Sequence, residues 1–311
     1  MAFTTNLTGT TQVDDSLIAL YDASFIIEVG QNDVMDQLAV TKFQPNAKSI
    51  QFSRFGQLSV DTSALDEVED VVSEAVTDSK VVITPAEYGK AVTRTELASL
   101  QTGGVIDAVI PIQVAQHLSA KSNLLATTAL LQSSNVLING AAGTIAGLLA
   151  TDVIGPTFMN KAYNKLARKG NGLPKIAGAY IAVMHDDVIA DLRGDTGAGS
   201  WQDVQKYTDA STVLNNEVGM YKGFRVIRNN ALVGVDQTGA GTVDAYPVIF
   251  MAYNGLGKAT SLEPMMVATG PFDKLARFVN IGWKGVFNYS IIEPDAVWVG
   301  YVASSLGNNA A

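Results

Sequence analysis

An acidic stretch from Asp61 to Lys80 separates two β-patterned runs, and this arrangement constrains the possible folds of the chain more than any other feature. The first run, Ser49-Ile50-Gln51-Phe52-Ser53-Arg54-Phe55, alternates at its start, and the second extends from Val81 to Thr95. Within the acidic stretch, Leu65, Val68, Val72 and Val76 can line one face of a short helix, which needs a partner surface to bury it. A hairpin with so long a connection has too little two-sided apolar surface to be stable in isolation. Ser49 to Leu97 is therefore expected to form an arm that packs on another subunit.

The rest of the chain has enough apolar residues for a normal interior. At 311 residues and 47% hydrophobic it can bury one large core or two modest ones, and a charged fraction of 16% suits a surface partly covered by partners. A net charge of −9 argues against general nucleic-acid binding, because sequence-independent affinity for phosphates comes from clustered Lys and Arg. With no cysteine, disulfides, thiolate nucleophiles and cysteine metal ligands are excluded. Met1 to Asp14 is polar and lacks the basic and apolar regions of a secretory signal. Ser122 to Thr151 carries no charge, but Thr, Gln, Ser, Asn and Gly interrupt it throughout, so it reads as buried soluble structure and not as a membrane span.

Residues 1–48 read as an extended polar arm with a helical candidate over Asp14 to Glu28. The longest helix is predicted over Val105 to Gln132, with Val105, Val109, Ile112, His117 or Ala120, Leu124 and Leu131 sharing a face. Pro111 either kinks it or makes it start near Ile110. A second helix is expected over Pro156 to Lys169, with Pro156 in its first turn and Arg168-Lys169 at its C-terminal end. From Ala179 the pattern becomes a compact α/β module. It comprises strand Tyr180 to Met184, helices Asp187 to Arg193 and Trp201 to Tyr207, and strands Phe224 to Arg228 and Pro247 to Ala252. The C-terminal part returns to β over Val279 to Ile292 and Val297 to Ala303, with a turn at Glu293-Pro294-Asp295. Trp201, Trp283 and Trp298, with Phe287, Tyr289 and Tyr301, suit interface anchors and core-facing strands equally.

Little in the sequence supports chemistry. The two histidines, His117 and His185, leave no His-Glu-x-x-His pattern. His185-Asp186-Asp187 has the donor types to hold a divalent ion, but Asp186 or Asp187 is more simply the N-cap of the following helix. Gly194 to Ser200 lacks the lysine of a phosphate loop. Gly255-Leu256-Gly257-Lys258-Ala259 has one but places Ala where Ser or Thr should hold magnesium. Neither a Gly-x-Ser-x-Gly elbow nor a calcium loop occurs. No catalytic, cofactor-binding or metal-ligating residue is therefore assigned, and the chain is not read as an enzyme.

Three passages, in order, resemble the major capsid proteins of tailed phages with the Hong Kong 97 fold, and the likeness spans nearly the whole chain. Tyr180-Ile-Ala-Val-Met-His-Asp-Asp-Val-Ile-Ala-Asp-Leu-Arg193 resembles the strand and helix that open that family's axial domain. Asn216-Glu217-Val218-Gly219 followed by Gly223-Phe224-Arg225-Val226-Ile227 resembles the segment leading to its next strand. Asn288 to Tyr301 resembles the closing strands of its peripheral domain. The branch resembled is the one named after coliphage N-four.

The resemblance implies an α+β fold and five regions: an N-terminal arm (1–48), an E-loop hairpin (49–97), a peripheral domain with a spine helix (98–174), an axial domain (175–271), and closing β-strands with a C-terminal tail (272–311). It also implies self-assembly into pentamers and hexamers of an icosahedral shell around double-stranded DNA. The implied partners are other copies of the chain, portal and scaffolding proteins, and decoration proteins in some relatives. The implied place is the virion capsid, assembled in the host cytoplasm. No Lys and Asn pair for cross-linking is identified, so noncovalent stabilisation is expected. The alternatives are an encapsulin-type nanocompartment shell and, more distantly, an α/β enzyme using His185, Asp186 and Asp187.

Overall fold

The computed structural model describes residues 7–8 and 34–306, apart from 57, 60–63, 65–69, 71–72, 142, 169–171, 196–200, 202–215, 233–238, 241–242, 271–272, 274 and 276. The helical candidate at Asp14 to Glu28 lies outside these residues, as does all but Trp201 of the one at Trp201 to Tyr207. Leu65, Val68 and Val72 also lie outside them, and Val76 is not helical.

Two sheets and a ribbon carry the architecture. The first sheet has the order β1 (Leu7–Thr8), β5 (Ala86–Thr95), β12 (Phe278–Ile291), β11 (Leu256–Thr269), β2 (Val40–Phe43). Its three long strands are antiparallel, while β2 and β1 add in parallel at the two sides. The second sheet has the order β6 (Val136–Ile138), β13 (Val297–Val302), β10 (Tyr246–Met251), β7 (Tyr180–Met184), β9 (Phe224–Arg228), β8 (Glu217–Tyr221). The ribbon is β3 (Ile50–Phe55) paired antiparallel with β4 (Asp78–Ile83). The helices are α1 (Glu96–Gln101), α2 (Val105–Leu131), α3 (Pro156–Ala167) and α4 (Asp186–Gly194).

Strands β7 and β10 are buried at every position, as expected for central strands covered on both faces. Period-two alternation divides their side chains between two cores. Tyr180, Ala182 and Met184 pack with Phe158, Met159 and Leu166 of α3 and with Val188, Ile189 and Leu192 of α4. Ile181 and Val183 belong instead to a core with Ala126 and Leu130 of α2 and with Trp283, Phe287 and Tyr289 of β12. Helix α2 therefore joins the two sheets. Trp201, Trp283, Phe287 and Tyr289 are core residues, and Trp298 and Tyr301 are half-buried on β13, so none of the six stands out as an open interface anchor.

Several expectations need correction. The run from Val81 to Thr95 is two strands. Thr84-Pro85 divides it, so Val81 to Ile83 stay in the ribbon while Ala86 onward pairs with β12. The arm's expected end at Leu97 falls inside α1, whose N-cap Thr95 accepts a hydrogen bond from the Ala98 amide at 3.2 Å. Helix α2 starts at Val105, behind Gly104 at φ 83°, and runs through Pro111 without restarting at Ile110. Its buried stripe is Ile106, Ile110, Val114, Ser122, Asn123, Ala126, Thr127 and Leu130. Val105, Ile112 and Leu124, placed on the buried face by the apolar count, are exposed. The polar members of the stripe find partners: Asn123 and Asn229 exchange side-chain hydrogen bonds at 2.9 and 3.1 Å, and Ser122 Oγ meets Tyr289 OH at 2.6 Å.

Strand β11 has no sequence counterpart, because Gly257, Lys258 and Pro264 break its alternation. Bulges between Thr260 and Leu262, and between Leu262 and Met265, absorb the proline. Nor does the expected division at 271/272 follow the sheets. Strand β11 pairs with β12 in the first sheet, and β13 pairs with β10 in the second.

Candidate assembly surfaces

The ribbon is fixed at its root and open beyond it. Ile50, Phe52 and Ile83 are buried against Ala259 and Ile292, each such side chain contributing about 1.5–3 kcal/mol when removed from water. Arg54 Nη1 lies 3.1 Å from Glu293 Oε1, and Asn288 Nδ2 donates to the Thr84 carbonyl at 3.0 Å. Past the root, Ser59 donates through its amide and hydroxyl to the Glu74 carboxylate, at 3.0 and 2.6 Å to Oε2. Phe55, Leu58 and Val76 are exposed there, Phe55 at 69%. A projecting ribbon with uncovered apolar side chains calls for a partner.

A second root lies where the N-terminal segment enters the body. Val34, Met35 and Leu38 are buried in the α2 core. Asp36 Oδ1 pairs with Lys258 Nζ at 2.6 Å and accepts from Tyr289 OH at 2.8 Å, and Lys258 also sits over the Phe287 and Tyr289 rings. Lys258, which the glycine-rich pattern offers to a phosphate loop, is thus a strand residue held by a carboxylate and two aromatic faces. A Cβ at Gly257 would come within 2.6 Å of Ile292, so this glycine serves close packing and not phosphate binding.

Further apolar side chains are exposed on α1 and α2, namely Leu97, Leu100, Ile112 and Leu124, with Leu100 at 71%. Among the described residues no helix is long and apolar enough to cross a membrane. Lys161 and Lys165 of α3 and its C-cap Arg168 recur at positions that share a helical face and, with Leu137 and Asn164, line an open depression of about 430 Å³. The sequence reading assigned Arg168 to the helix end and missed the other two. Their i, i+4, i+7 spacing was the available signal.

The structure keeps His185 beside Asp187, with Nδ1 3.2 Å from Oδ2, but gives the acidic pair separate partners and puts His117 elsewhere. His185 caps α4 itself: its Nδ1 accepts from the Asp187 amide at 3.2 Å, where Asp186 or Asp187 had been expected as the cap. Asp186 accepts from Asn230 at 3.2 Å and lies near Arg228, whereas Asp187 accepts from the Tyr246 hydroxyl at 2.9 Å. Burial, reinforced by that hydrogen bond and the Asp187 charge, raises the Tyr246 phenol above its usual range. The trio braces a helix end and a strand. His117 is far along the chain on α2, accepting from Trp283 Nε1 at 3.2 Å. Burial, then the charges of Lys90 and Lys121, lower its pKa, which keeps Nδ1 free to accept. No group of three metal-ligating side chains occurs among the described residues.

No protein-family model matches the chain, and no curated protein sequence matches it. Solved structures do. The capsid of Ralstonia phage GP4 superposes with a TM-score of 0.73 at 12% identity, over 94% of this chain and 96% of that one. The cyanophage Pam1 capsid gives 0.66 at 11% identity, over 98% and 97% of the two chains. The capsid of cyanophage P-SCSP1u gives 0.64 at 15% identity, over 98% and 100%. At these identities the likeness establishes the fold alone: an α+β fold of the Hong Kong 97 capsid type, shared over 94–98% of this chain.

Proposed function

We propose that this chain is the major capsid protein of a tailed phage, assembling into pentamers and hexamers that close an icosahedral shell around double-stranded DNA. The observation that carries the reading is the extent of the shared fold, 94% of this chain against 96% of a capsid subunit, with no large region of either left over. The exposed ribbon and the uncovered leucines of α1 agree with it, as surfaces a shell would cover. So does the net charge of −9, because a container should not grip the DNA threaded through it.

In this reading residues 1–48 form the N-terminal arm and the ribbon forms the E-loop. The first sheet with α2 as spine helix forms the peripheral domain, and the second sheet with α4 forms the axial domain; packing and pairing favour adding to it α3 and β13, which the expected regions 98–174 and 272–311 assign to the peripheral domain. The subunit belongs to the branch named after coliphage N-four and lacks enzymatic activity. It assembles in the host cytoplasm with portal and scaffolding proteins and resides in the virion.

Negative-stain electron microscopy of the large-particle fraction after size exclusion tests the proposal. Closed polyhedral shells, or tubes and free capsomers, are the expected result. A chain that stays monomeric or dimeric across salt conditions and with co-expressed scaffolding protein would refute it. Mature particles are also expected to dissolve on a denaturing gel into one band at the subunit mass of 32.8 kDa. A covalent ladder would overturn noncovalent stabilisation.

A further inference from the structure

The cationic face of α3 is unusual in a chain of net charge −9. Lys161, Lys165 and Arg168 recur at i, i+4 and i+7, a spacing at which like charges repel along a helix. Among the described residues none of the three is ion-paired to a carboxylate. Lys165 does sit over the Trp298 ring, 5.2 Å from its centroid. The depression they line is bordered by Leu137 of β6, a strand at the end of the second sheet that, among the described residues, pairs with β13 alone. The site therefore offers three cations, an apolar border and a strand edge with open backbone groups.

The chain also contains a matching ligand. Residues 61–78 carry seven carboxylates (Asp61, Asp66, Glu67, Glu69, Asp70, Glu74 and Asp78) and no Lys or Arg. In sequence they follow β3 and lead into β4, the two strands whose Ile50, Phe52 and Ile83 are buried against the body.

We propose that the α3 stripe of one subunit receives the acidic segment 61–78 of a second copy, an electrostatic latch between neighbours. The inference rests on the capsid reading and names the surface on which the ribbon lands. Complementary charge fixes which neighbour and which register are accepted, while Leu58 and Val76, exposed beside the carboxylates, supply apolar area.

Charge reversal tests it. The triple variant K161E/K165E/R168E should keep the circular dichroism and melting of the wild-type subunit while its yield of closed shells falls about tenfold or more, like-charge contact now opposing docking. Adding D66K/E67K/E69K/D70K to the same chain should restore shells. A triple variant that assembles normally overturns the latch, as does a folded one that the reversed ribbon fails to rescue. Normal assembly with reduced packaged DNA would assign the stripe to phosphate instead, and also overturns it.

Should the triple variant misfold, zero-length carbodiimide coupling of wild-type shells assembled from mixed ¹⁴N and ¹⁵N subunits decides the matter. The expected products are mixed-isotope amides joining Lys161 or Lys165 to carboxylates of 61–78. Cross-links elsewhere but none of these would overturn the proposal. Wild-type shells indifferent to the stripe leave the capsid reading intact, whereas a wild-type chain that never assembles removes both.

Discussion

A chain in which residues 60–73 are replaced by a Gly-Ser turn is expected to fold as the full-length subunit does and to lose the ability to close shells. Ser59 and Glu74 already meet through hydrogen bonds of 2.6 and 3.0 Å, and the Gly56 amide bonds the Thr77 carbonyl at 2.9 Å, so a short turn bridges the cut without disturbing β3 and β4. The apolar root of Ile50, Phe52, Ile83, Ala259 and Ile292 is untouched. Melting should therefore shift by no more than about 2 °C, the scale of a surface change of about 0.5 kcal/mol in a chain of this size. Shell yield, counted by sedimentation and electron microscopy, should collapse, because the deletion removes the acidic segment proposed to reach a neighbour while keeping the apolar root. If the shortened chain assembled normally, the ribbon would not be an assembly element. If it unfolded, the ribbon's outer half would belong to the subunit core.

The second large effect concerns the interior. Replacing Asn123 with leucine is expected to destabilise the unassembled subunit by about 2–3 kcal/mol, the cost of stranding a buried amide. Asn123 and Asn229 are 1% and 2% exposed and satisfy each other at 2.9 and 3.1 Å, and Asn229 also reaches Thr127 Oγ1 at 3.3 Å. The substitution removes one hydrogen-bond partner from each end of the Asn229 side-chain amide, and melting should fall by about 3–5 °C. Ile112→Asn, by contrast, falls on the face that the apolar count placed inside and the structure leaves 45% exposed. It should shift melting by about 2 °C or less, since exposed substitutions cost about 0.5 kcal/mol at most. Chemical denaturation of both variants checks the assignment. A large loss for Ile112→Asn with none for Asn123→Leu would mean that α2 packs by its other face.

Much of the architecture was legible locally. Tyr180 to Met184 and Phe224 to Arg228 are runs of β-formers bounded by glycines or polar turns, and they form strands with those bounds. Pro156 sets a fixed φ where α3 begins. The ribbon was visible because two β-patterned runs flank a segment that cannot fold by itself. The basic stripe of α3 was written at i, i+4 and i+7, yet its meaning depended on knowing that among the described residues no carboxylate pairs with it.

What the sequence by itself determined is the inventory of this protein: a long helix, an α/β module, a projecting acidic ribbon, and the lack of cysteine chemistry. Only the tertiary structure decided which face of α2 is inside, that β11 exists, and that β13 leaves β12 to pair with β10. The reason is range. Strand and helix starts depend on a few neighbouring residues, whereas the burial of Asn123 depends on Asn229, 106 positions away, and β11 continues past Pro264 because its pairing with β12 accommodates bulges. A polar residue such as Asn123 looks like surface until its distant partner is known, and an apolar one such as Ile112 looks like core until the packed face of its helix is known.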